Sequence, residues 1–173
     1  MEKATFAGGS FWGLEDAFAG VKGVLSTRVG YTGGTVPNPT HEQVRHGDTG
    51  HAQAVEVTFD PEQVSYDDLL EVFWKSHDPT QLNRQGADIG SAYRSAIFYH
   101  SDAQCEAAQR SRTVQTKMKR FRGAIVTELQ PAGEFYPAAE EHQQFLAKER
   151  ARNHIVTPPI FETTWESRGL RTK

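Results

Sequence analysis

Apolar and polar residues alternate along the first half of the chain with two different periods. Apolar residues recur close to helical spacing at Phe11, Leu14, Ala17 and Phe18. This spacing predicts a helix over Phe11–Ala19, directly after a short strand at residues 3–7. Residues 54–59 instead alternate strictly between apolar and polar side chains, which indicates a strand buried on one face.

The rest of the pattern continues the alternation of strands and helices. Residues 24–30 and 95–99 are predicted to be strands, and Ser65 caps a helix that ends near Ser76. Ser101 and Gln104 have the spacing of a capping box at the start of a helix reaching about Lys119. A fifth strand is predicted at 124–129 and a last short helix at 138–148. The order β-α-β-β-α-β-α-β predicts an α+β fold, a two-layer sandwich with helices packed on a mainly mixed or antiparallel sheet.

Two long irregular stretches, residues 31–50 and 78–93, interrupt these elements. Both are rich in hydrogen-bonding side chains and are punctuated by glycine or proline. Loops of this length in a compact domain are usually functional or disordered, and the many hydrogen-bonding side chains of these two lead us to expect that they form the rim of a site. Pro37 and Pro39 make a helix in the first stretch unexpected.

Composition indicates one soluble domain over residues 1–173. The chain is 37% hydrophobic and 24% charged, which is ordinary for a globular protein. No apolar run has membrane-spanning length and no signal-peptide pattern precedes the first strand, so we expect a cytoplasmic protein without a membrane partner. A formal charge of −3 without a long basic cluster argues against nucleic acid. The single cysteine, Cys105, excludes an intrachain disulfide and a multi-cysteine metal site.

The segment Gly9-Ser10-Phe11-Trp12-Gly13 lies at the predicted junction between the first strand and the first helix. Ser10 is therefore expected at the N-cap, where its oxygen accepts a hydrogen bond from the first turn. The same place suits a reactive group, because free N–H groups and the helix dipole stabilise an anion there. Phe11 and Trp12 are not needed by a structural cap and suggest the wall of a pocket.

Two other segments resemble known catalytic motifs but do not have the residue spacing that those motifs require. In the segment from His41 to His46 the second histidine follows the first by five residues instead of the four that a zinc-protease helix requires. The remaining histidines lack ligand spacing and are predicted to be ordinary hydrogen-bonding residues, so no metal is expected. A serine-hydrolase elbow needs Gly-x-Ser-x-Gly, but Trp12 stands at the second glycine position.

Beyond this segment, the chain resembles the A-type peptide methionine sulfoxide reductases over about residues 4–146. Gly9-Ser10-Phe11-Trp12-Gly13 is similar to the family's Gly-Cys-Phe-Trp-Gly. Further matching blocks follow in order: Gly30-Tyr31-Thr32-Gly33-Gly34, Gly47-Asp48-Thr49-Gly50-His51-Ala52, His77-Asp78-Pro79-Thr80, Arg84-Gln85-Gly86 with Asp88, and Tyr93-Arg94-Ser95-Ala96-Ile97-Phe98. The resemblance implies a ferredoxin-like core and reduction of the S epimer of methionine sulfoxide, free or in proteins, as repair of oxidative damage.

The resemblance also implies roles for individual residues. Gly9, Phe11, Trp12 and His41 would bind the substrate, with the two aromatic rings of Phe11 and Trp12 receiving its methyl group. Gln53 occupies the position of the family's acidic glutamate, and Asp88 and Tyr93 would orient the sulfoxide oxygen. The reaction needs a thiolate nucleophile and a proton source.

The chain departs from the family at three of these positions. Ser10 replaces the nucleophilic cysteine, Gln53 replaces the acid, and His41 stands where many relatives carry a tyrosine. A serine hydroxyl titrates far above a thiol, and Gln53 cannot release a proton. The chain is therefore predicted to bind the substrate without reducing it. Two explanations of the serine stay open: an engineered substitution, and a natural feature of a diverged binding relative.

Regeneration of a cysteine-containing form would need an outside thiol. The polar tail, residues 149–173, contains no resolving cysteine, and Cys105 is predicted to be a passive position in the first turn of a helix. No bound cofactor is expected. The implied partners are methionine-sulfoxide-containing proteins or free methionine sulfoxide, and a reductant such as thioredoxin, glutaredoxin or dithiothreitol.

Overall fold

A six-stranded mixed sheet organises residues 1–153, the part of the chain that the computed structural model describes. The strands are β1 (Glu2–Ala7), β2 (Val24–Thr32), β3 (Ala52–Phe59), β4 (Arg84–Gln85), β5 (Asp88–Ile89), β6 (Ala96–Tyr99), β7 (Glu128–Pro131) and β8 (Phe135–Pro137). The helices are α1 (Phe11–Ala19), α2 (His41–His46), α3 (Tyr66–Ser76), α4 (Asp102–Lys117) and α5 (Phe145–Arg152). The short strands β4 and β5 form a separate hairpin.

The large sheet has the strand order β7-β6-β1-β3-β2-β8. Its central part is antiparallel, because β1 pairs with β3 and β6, and β3 pairs with β2; only β6 and β7 pair in parallel. Strands β1, β2, β3 and β6, connected through α1 and α3, reproduce the β-α-β-β-α-β order of a ferredoxin-like unit. The predicted α+β fold with a mixed sheet is confirmed.

Capping residues explain where the main helices begin. Ser10, Ser65 and Ser101 each accept a hydrogen bond from the first turn of α1, α3 and α4, respectively, as predicted. The capping box predicted at Ser101 is wrong in its second hydrogen bond, because the Gln104 side chain does not bond the backbone N–H of Ser101. The Gln104 side chain accepts from the backbone N–H of His100 and donates to the Lys3 carbonyl, so it ties α4 to β1.

The core between sheet and helices fixes the junction of β1 and α1. The Phe6 ring stacks on Phe18 of α1 at 4.9 Å and on Phe73 of α3 at 5.1 Å between centroids. All three rings are fully buried, and burying each contributes about 2 kcal/mol. Both helices are therefore held against β1, and the residues between β1 and α1 have little freedom.

Two predictions for the middle of the chain are wrong. Strand β3 is covered on both faces rather than one, because a second cluster around Phe98 packs behind it and Glu56, only 8% exposed, pairs with Arg28. The stretch 31–50 contains helix α2 despite the preceding prolines. Thr40 caps this helix in a complete capping box with Gln43.

The C-terminal elements are shifted from their predicted positions. The strand expected at 124–129 is β7, Glu128–Pro131, and strand β8 was not predicted. The helix expected at 138–148 is instead a 3-10 turn, Glu140–His142, followed by α5. These elements depend on pairing with distant strands, since β8 pairs with β2, and local patterns do not report such pairing.

Candidate functional site

The turn between β1 and α1 requires glycine at both of its positions. Gly9 has a φ of +86°, and its N–H donates to the Tyr93 carbonyl at 3.2 Å. A Cβ atom on Gly9 would lie 2.8 Å from Cγ of Gln85, and one on Gly8 would lie 2.9 Å from the His77 ring. The turn is therefore pressed against residues 77–93, which bring Tyr93 close to the start of α1.

Ser10 occupies the N-cap of α1, as predicted. Its side chain is half-buried, and its Oγ accepts a hydrogen bond from the backbone N–H of Trp12 at 3.3 Å. A neutral hydroxyl makes this contact as a simple cap. A thiolate in the same place would be stabilised by the N–H group and by the positive end of the helix, which lowers the pKa of a thiol.

Gln53 lies beside Ser10 and is 2% exposed. Its Oε1 accepts from the backbone N–H of Phe11 at 3.2 Å. Burial raises the pKa of the Tyr93 hydroxyl, and the Gln53 side chain acts to lower it by a smaller amount. Because Oε1 accepts from Phe11, the Nε2 group is the part of the amide that remains to face Tyr93.

Tyr93 and Asp88 interact through charge. Burial raises the pKa of the Tyr93 hydroxyl, and the negative charge of Asp88 raises it further. Asp88 itself is exposed on strand β5, and no hydrogen bond of its carboxylate is seen within residues 1–153. The structure thus links Ser10, Gln53 and Tyr93 through hydrogen bonds involving Gly9 and Phe11, whereas Asp88 is linked to them electrostatically.

Six rings gather beside Ser10 and form what we call the aromatic wall: Phe11, Trp12, Tyr31, His41, His142 and Phe145. The fully buried ring of Phe11 lies 5.6 Å from Tyr31 and 5.8 Å from His41. The half-buried indole of Trp12 stacks on Phe145 at 4.0 Å. The predicted binding residues Phe11, Trp12 and His41 therefore belong to one cluster.

Hydrogen bonds fix the orientation of the histidines in this wall. The Trp12 indole can only donate, so its contact of 3.3 Å makes Nδ1 of His142 an acceptor and places that ring's proton on Nε2. His41 stacks on His142 at 4.4 Å and shares a hydrogen bond of 3.2 Å with the Tyr31 hydroxyl. Burial lowers the pKa of His41, and the nearby His142 lowers it further by a smaller amount.

A cleft of 740 Å³ opens along this wall. Tyr31, His41 and His142 form its aromatic side, and the carboxylates of Glu42 and Glu141 lie at its border. Aromatic rings on one side and polar groups on the other suit a ligand that is part thioether and part polar.

The other histidines serve the fold, as the spacing argument predicted. His51 accepts from Gly34 N–H at 2.9 Å and contacts the Val36 carbonyl at 2.7 Å. His77 contacts the Phe73 carbonyl at 2.7 Å and Ser95 at 2.8 Å. His100 bonds Thr5, and His154 lies outside the described residues.

Two searches over residues 1–153 complete the description. No group of three or more His, Cys, Asp or Glu side chains there is arranged to hold a metal ion. In the same part of the chain, no helix combines the length and the hydropathy that crossing a lipid bilayer requires.

Sequence reasoning gave no role to His142, Phe145 or the anchors of the segment that carries them. The Arg150 guanidinium holds the buried carboxylate of Asp16 in α1 with two hydrogen bonds, of 2.7 and 3.1 Å. Gln144 bonds Glu15 in the same helix through its backbone and its side chain. No local pattern points to His142 or Phe145, because His142 ends the 3-10 turn and Phe145 begins α5 after Gln144, whose φ is +49°.

Cys105 lies far from Ser10. It is in the first turn of α4. The preceding residue, Gln104, donates a hydrogen bond to the Lys3 carbonyl at the start of β1. Ser10 follows the opposite end of that strand, so about 13 Å of extended chain separates the two ends. Without a large rearrangement, Cys105 does not reach a group at position 10.

With this geometry in place, the chain was compared with known proteins. The family model for peptide methionine sulfoxide reductase matches residues 2–168. A relative from Methanothermobacter thermautotrophicus, "Peptide methionine sulfoxide reductase MsrA", is 62% identical over 151 residues, which are 87% of this chain and 89% of the relative.

Solved structures have the same fold. The reduced form of Mxr1 from Saccharomyces cerevisiae has a TM-score of 0.80 and 30% identity, covering 92% of this chain and 90% of that one. Methionine sulfoxide reductase A of Corynebacterium diphtheriae has a TM-score of 0.76 and 38% identity, covering 91% and 77%. Mxr1 in complex with Trx2 matches at 24% identity and a TM-score of 0.56, over 83% and 84%.

Proposed function

The chain belongs to the peptide methionine sulfoxide reductase family. We propose that it binds the S epimer of methionine sulfoxide beside Ser10 and, with serine at this position, does not reduce it. The observation that carries this proposal is the joining of Ser10, Gln53 and Tyr93 to the aromatic wall at the start of α1.

The aromatic wall supplies the seat for the thioether part of the substrate. The methyl group packs against Trp12, whose indole is held by Phe145 behind it and by the hydrogen bond to His142. Sulfur and methyl groups make favourable contacts with aromatic rings. The sulfoxide oxygen then accepts from the hydroxyl of Tyr93, a residue that the Gly9 N–H holds beside the start of α1.

Two groups that reduction needs are absent: a thiolate at position 10 and a proton donor at position 53. In reduction a thiolate attacks the sulfoxide sulfur while the sulfoxide oxygen takes up a proton. The hydroxyl then passes to the enzyme sulfur as the substrate S–O bond and the transient S–S bond break, which leaves methionine as the thioether and a sulfenic acid on the enzyme. The Ser10 hydroxyl stays protonated at neutral pH, whereas a thiol has a reference pKa of about 8.5 that the start of a helix lowers. Gln53 holds the oxygen by hydrogen bonding and cannot supply the proton.

Restoring cysteine tests this assignment. We expect no turnover of the S epimer with dithiothreitol for the parent chain and for Ser10→Ala, and measurable turnover for Ser10→Cys. The double variant Ser10→Cys/Gln53→Glu should be faster than Ser10→Cys by about a hundredfold, which is the size of effect that a positioned general acid supplies. Product methionine is quantified by chromatography.

The two explanations of the serine predict different results in this assay. Turnover in Ser10→Cys supports a reductase that lost its thiol at a single position. No turnover in folded Ser10→Cys, with turnover in Ser10→Cys/Gln53→Glu, makes Gln53 part of a real divergence toward binding. No turnover in either folded variant shows that the divergence extends beyond position 53, with His41 as the next candidate. Turnover by the parent chain would contradict the proposal itself.

We further propose that a thioredoxin-like protein, a glutaredoxin or a small dithiol reduces the cysteine-containing form. The chain has one cysteine, and it lies at the far end of β1 from position 10. A sulfenic acid at position 10 therefore needs a thiol from another molecule. The yeast relative Mxr1 forms a complex with Trx2, which agrees with this route.

A further inference from the structure

A second groove is lined by residues that do not border the cleft along the aromatic wall. Its volume is 370 Å³, and it runs between the β4–β5 hairpin and residues 120–122. Gln81 and Gln85 form one side, and Arg120, Phe121 and Arg122 form the other. None of these five residues has a part in the chemistry described above.

The groove is built between two anchored segments. The backbone N–H of Val126 donates to the Pro79 carbonyl at 2.9 Å, and a Cβ atom on Gly123 would lie 3.2 Å from Thr80. On the hairpin side, the Gln85 amide bonds both the N–H and the carbonyl of Asp78 at 2.9 Å. Both sides are thus tied to residues 78–80, and the groove exists without a ligand.

Gln85 connects this groove to the candidate site. Its side chain lines the groove, and its Cβ and Cγ atoms lie against Gly9, within 3.0 Å of where a Cβ of that residue would be. Gly9 immediately precedes Ser10. Through Gln85 the groove is thus one residue removed from the position where the oxidised methionine is proposed to bind.

The charges at the groove favour an anion. Arg122 is exposed and has no ion-pair or hydrogen-bond partner within residues 1–153, while Arg120 makes one contact with Glu71 at 3.4 Å. The single carboxylate that lines the groove, Asp78, directs one oxygen to the N–H and hydroxyl of Thr80 at 3.0 and 2.6 Å. Within residues 1–153 nothing occupies the guanidinium of Arg122, which has the geometry to form a paired hydrogen bond with a carboxylate.

We propose that this groove is a subsite for polypeptide substrates, in which Arg122, assisted by Arg120, binds an acidic side chain close to the oxidised methionine. Phe121 and the methylenes of Gln85 contact the intervening chain. This inference rests on the proposed function, because the oxidised methionine must first occupy the site at Ser10. It adds a preference among protein substrates that the aromatic wall alone does not provide.

Calorimetric titration of the intact chain tests the proposal. The probes are three blocked heptapeptides with a central S-methionine sulfoxide, flanked by glycine and carrying Asp, Asn or Lys two residues away on both sides. We expect the Asp peptide to bind about fivefold more tightly than the Asn peptide, and the Lys peptide less tightly than either. The Asp preference should shrink at high salt.

Arg122→Gln should reduce the Asp preference to less than twofold and leave the affinity for the Asn peptide unchanged. Arg110→Gln is the matched control, because Arg110 is also exposed and lies two turns before the end of α4. Equal binding of all three peptides, or a preference that survives Arg122→Gln, overturns the subsite while leaving the proposed function in place. Binding of none of the peptides overturns both.

Discussion

In the proposed function, a hydroxyl oxygen at the start of α1 stands where reduction needs a thiolate, and an amide at position 53 stands where it needs a proton donor. Both residues hold the start of α1 by hydrogen bonds: Ser10 caps Trp12, and Gln53 accepts from Phe11. These structural bonds need neither a thiolate nor a transferable proton. Binding and reduction depend on different properties of the same residues.

The lowered pKa of His41 predicts how the stability of the protein depends on pH. That pKa is lowered from 6.5, first by burial and then by His142. The unfolded chain then takes up a proton more readily than the folded one, so the free energy of unfolding falls as the pH decreases below about 6.5. We expect His41→Phe to lose less stability than the parent between pH 7 and pH 5, as measured by urea denaturation.

The control for this measurement is His46→Gln, since His46 is an exposed residue of the same helix α2. It should show the same loss of stability as the parent over that pH range. An identical pH dependence of the parent and His41→Phe would mean that His41 is not held in a desolvated position against His142.

Among the elements, α5 has the most direct effect on the site. It carries Phe145, which backs the Trp12 indole, and it is fastened to α1 by the bond between Arg150 and the 7% exposed Asp16. Arg150 brings a positive charge to this buried carboxylate, and its removal leaves Asp16 with less compensation. The position of Phe145 in the aromatic wall therefore depends on an ion pair at the opposite end of α5.

Arg150→Gln tests this dependence. We expect it to lower the free energy of unfolding by about 2 kcal/mol, less than for a fully buried pair because Arg150 is partly exposed. Binding of methionine sulfoxide should also weaken, as Phe145 supports Trp12 less firmly. The matched change Arg152→Gln, which removes an exposed pair with Glu149 in the same helix, should alter stability by less than about 0.5 kcal/mol. Equal effects of the two variants would show that α5 is held by packing alone.

At the scale of the whole molecule, one end of the sheet gathers residues from positions 10, 53, 93 and 142. The sequence predicted the helix Phe11–Ala19 with its bounds, the cap at Ser10 and the α+β fold, because caps and hydrophobic periods are local signals. The family resemblance of the sequence also predicted that Gln53 and Tyr93 belong to the site.

What local signals did not provide was the C-terminal side of the site. Strand β8 and helix α5 are placed by pairing with β2 and by contacts to α1, more than a hundred residues away in the chain. The role of His142 as acceptor for Trp12 follows from that placement and from nothing in its neighbouring residues. Tertiary contacts of this kind also decided that β3 is buried on both faces.

Calorimetric titration of the parent chain with the two separated epimers of a blocked methionine sulfoxide tests the central claim most directly. The account predicts saturable heat with the S epimer, a loss of about tenfold in affinity in Trp12→Ala, and no binding of the R epimer. Absence of heat with the S epimer, or equal binding of both epimers, would contradict a seat built from the aromatic wall and Tyr93 beside Ser10.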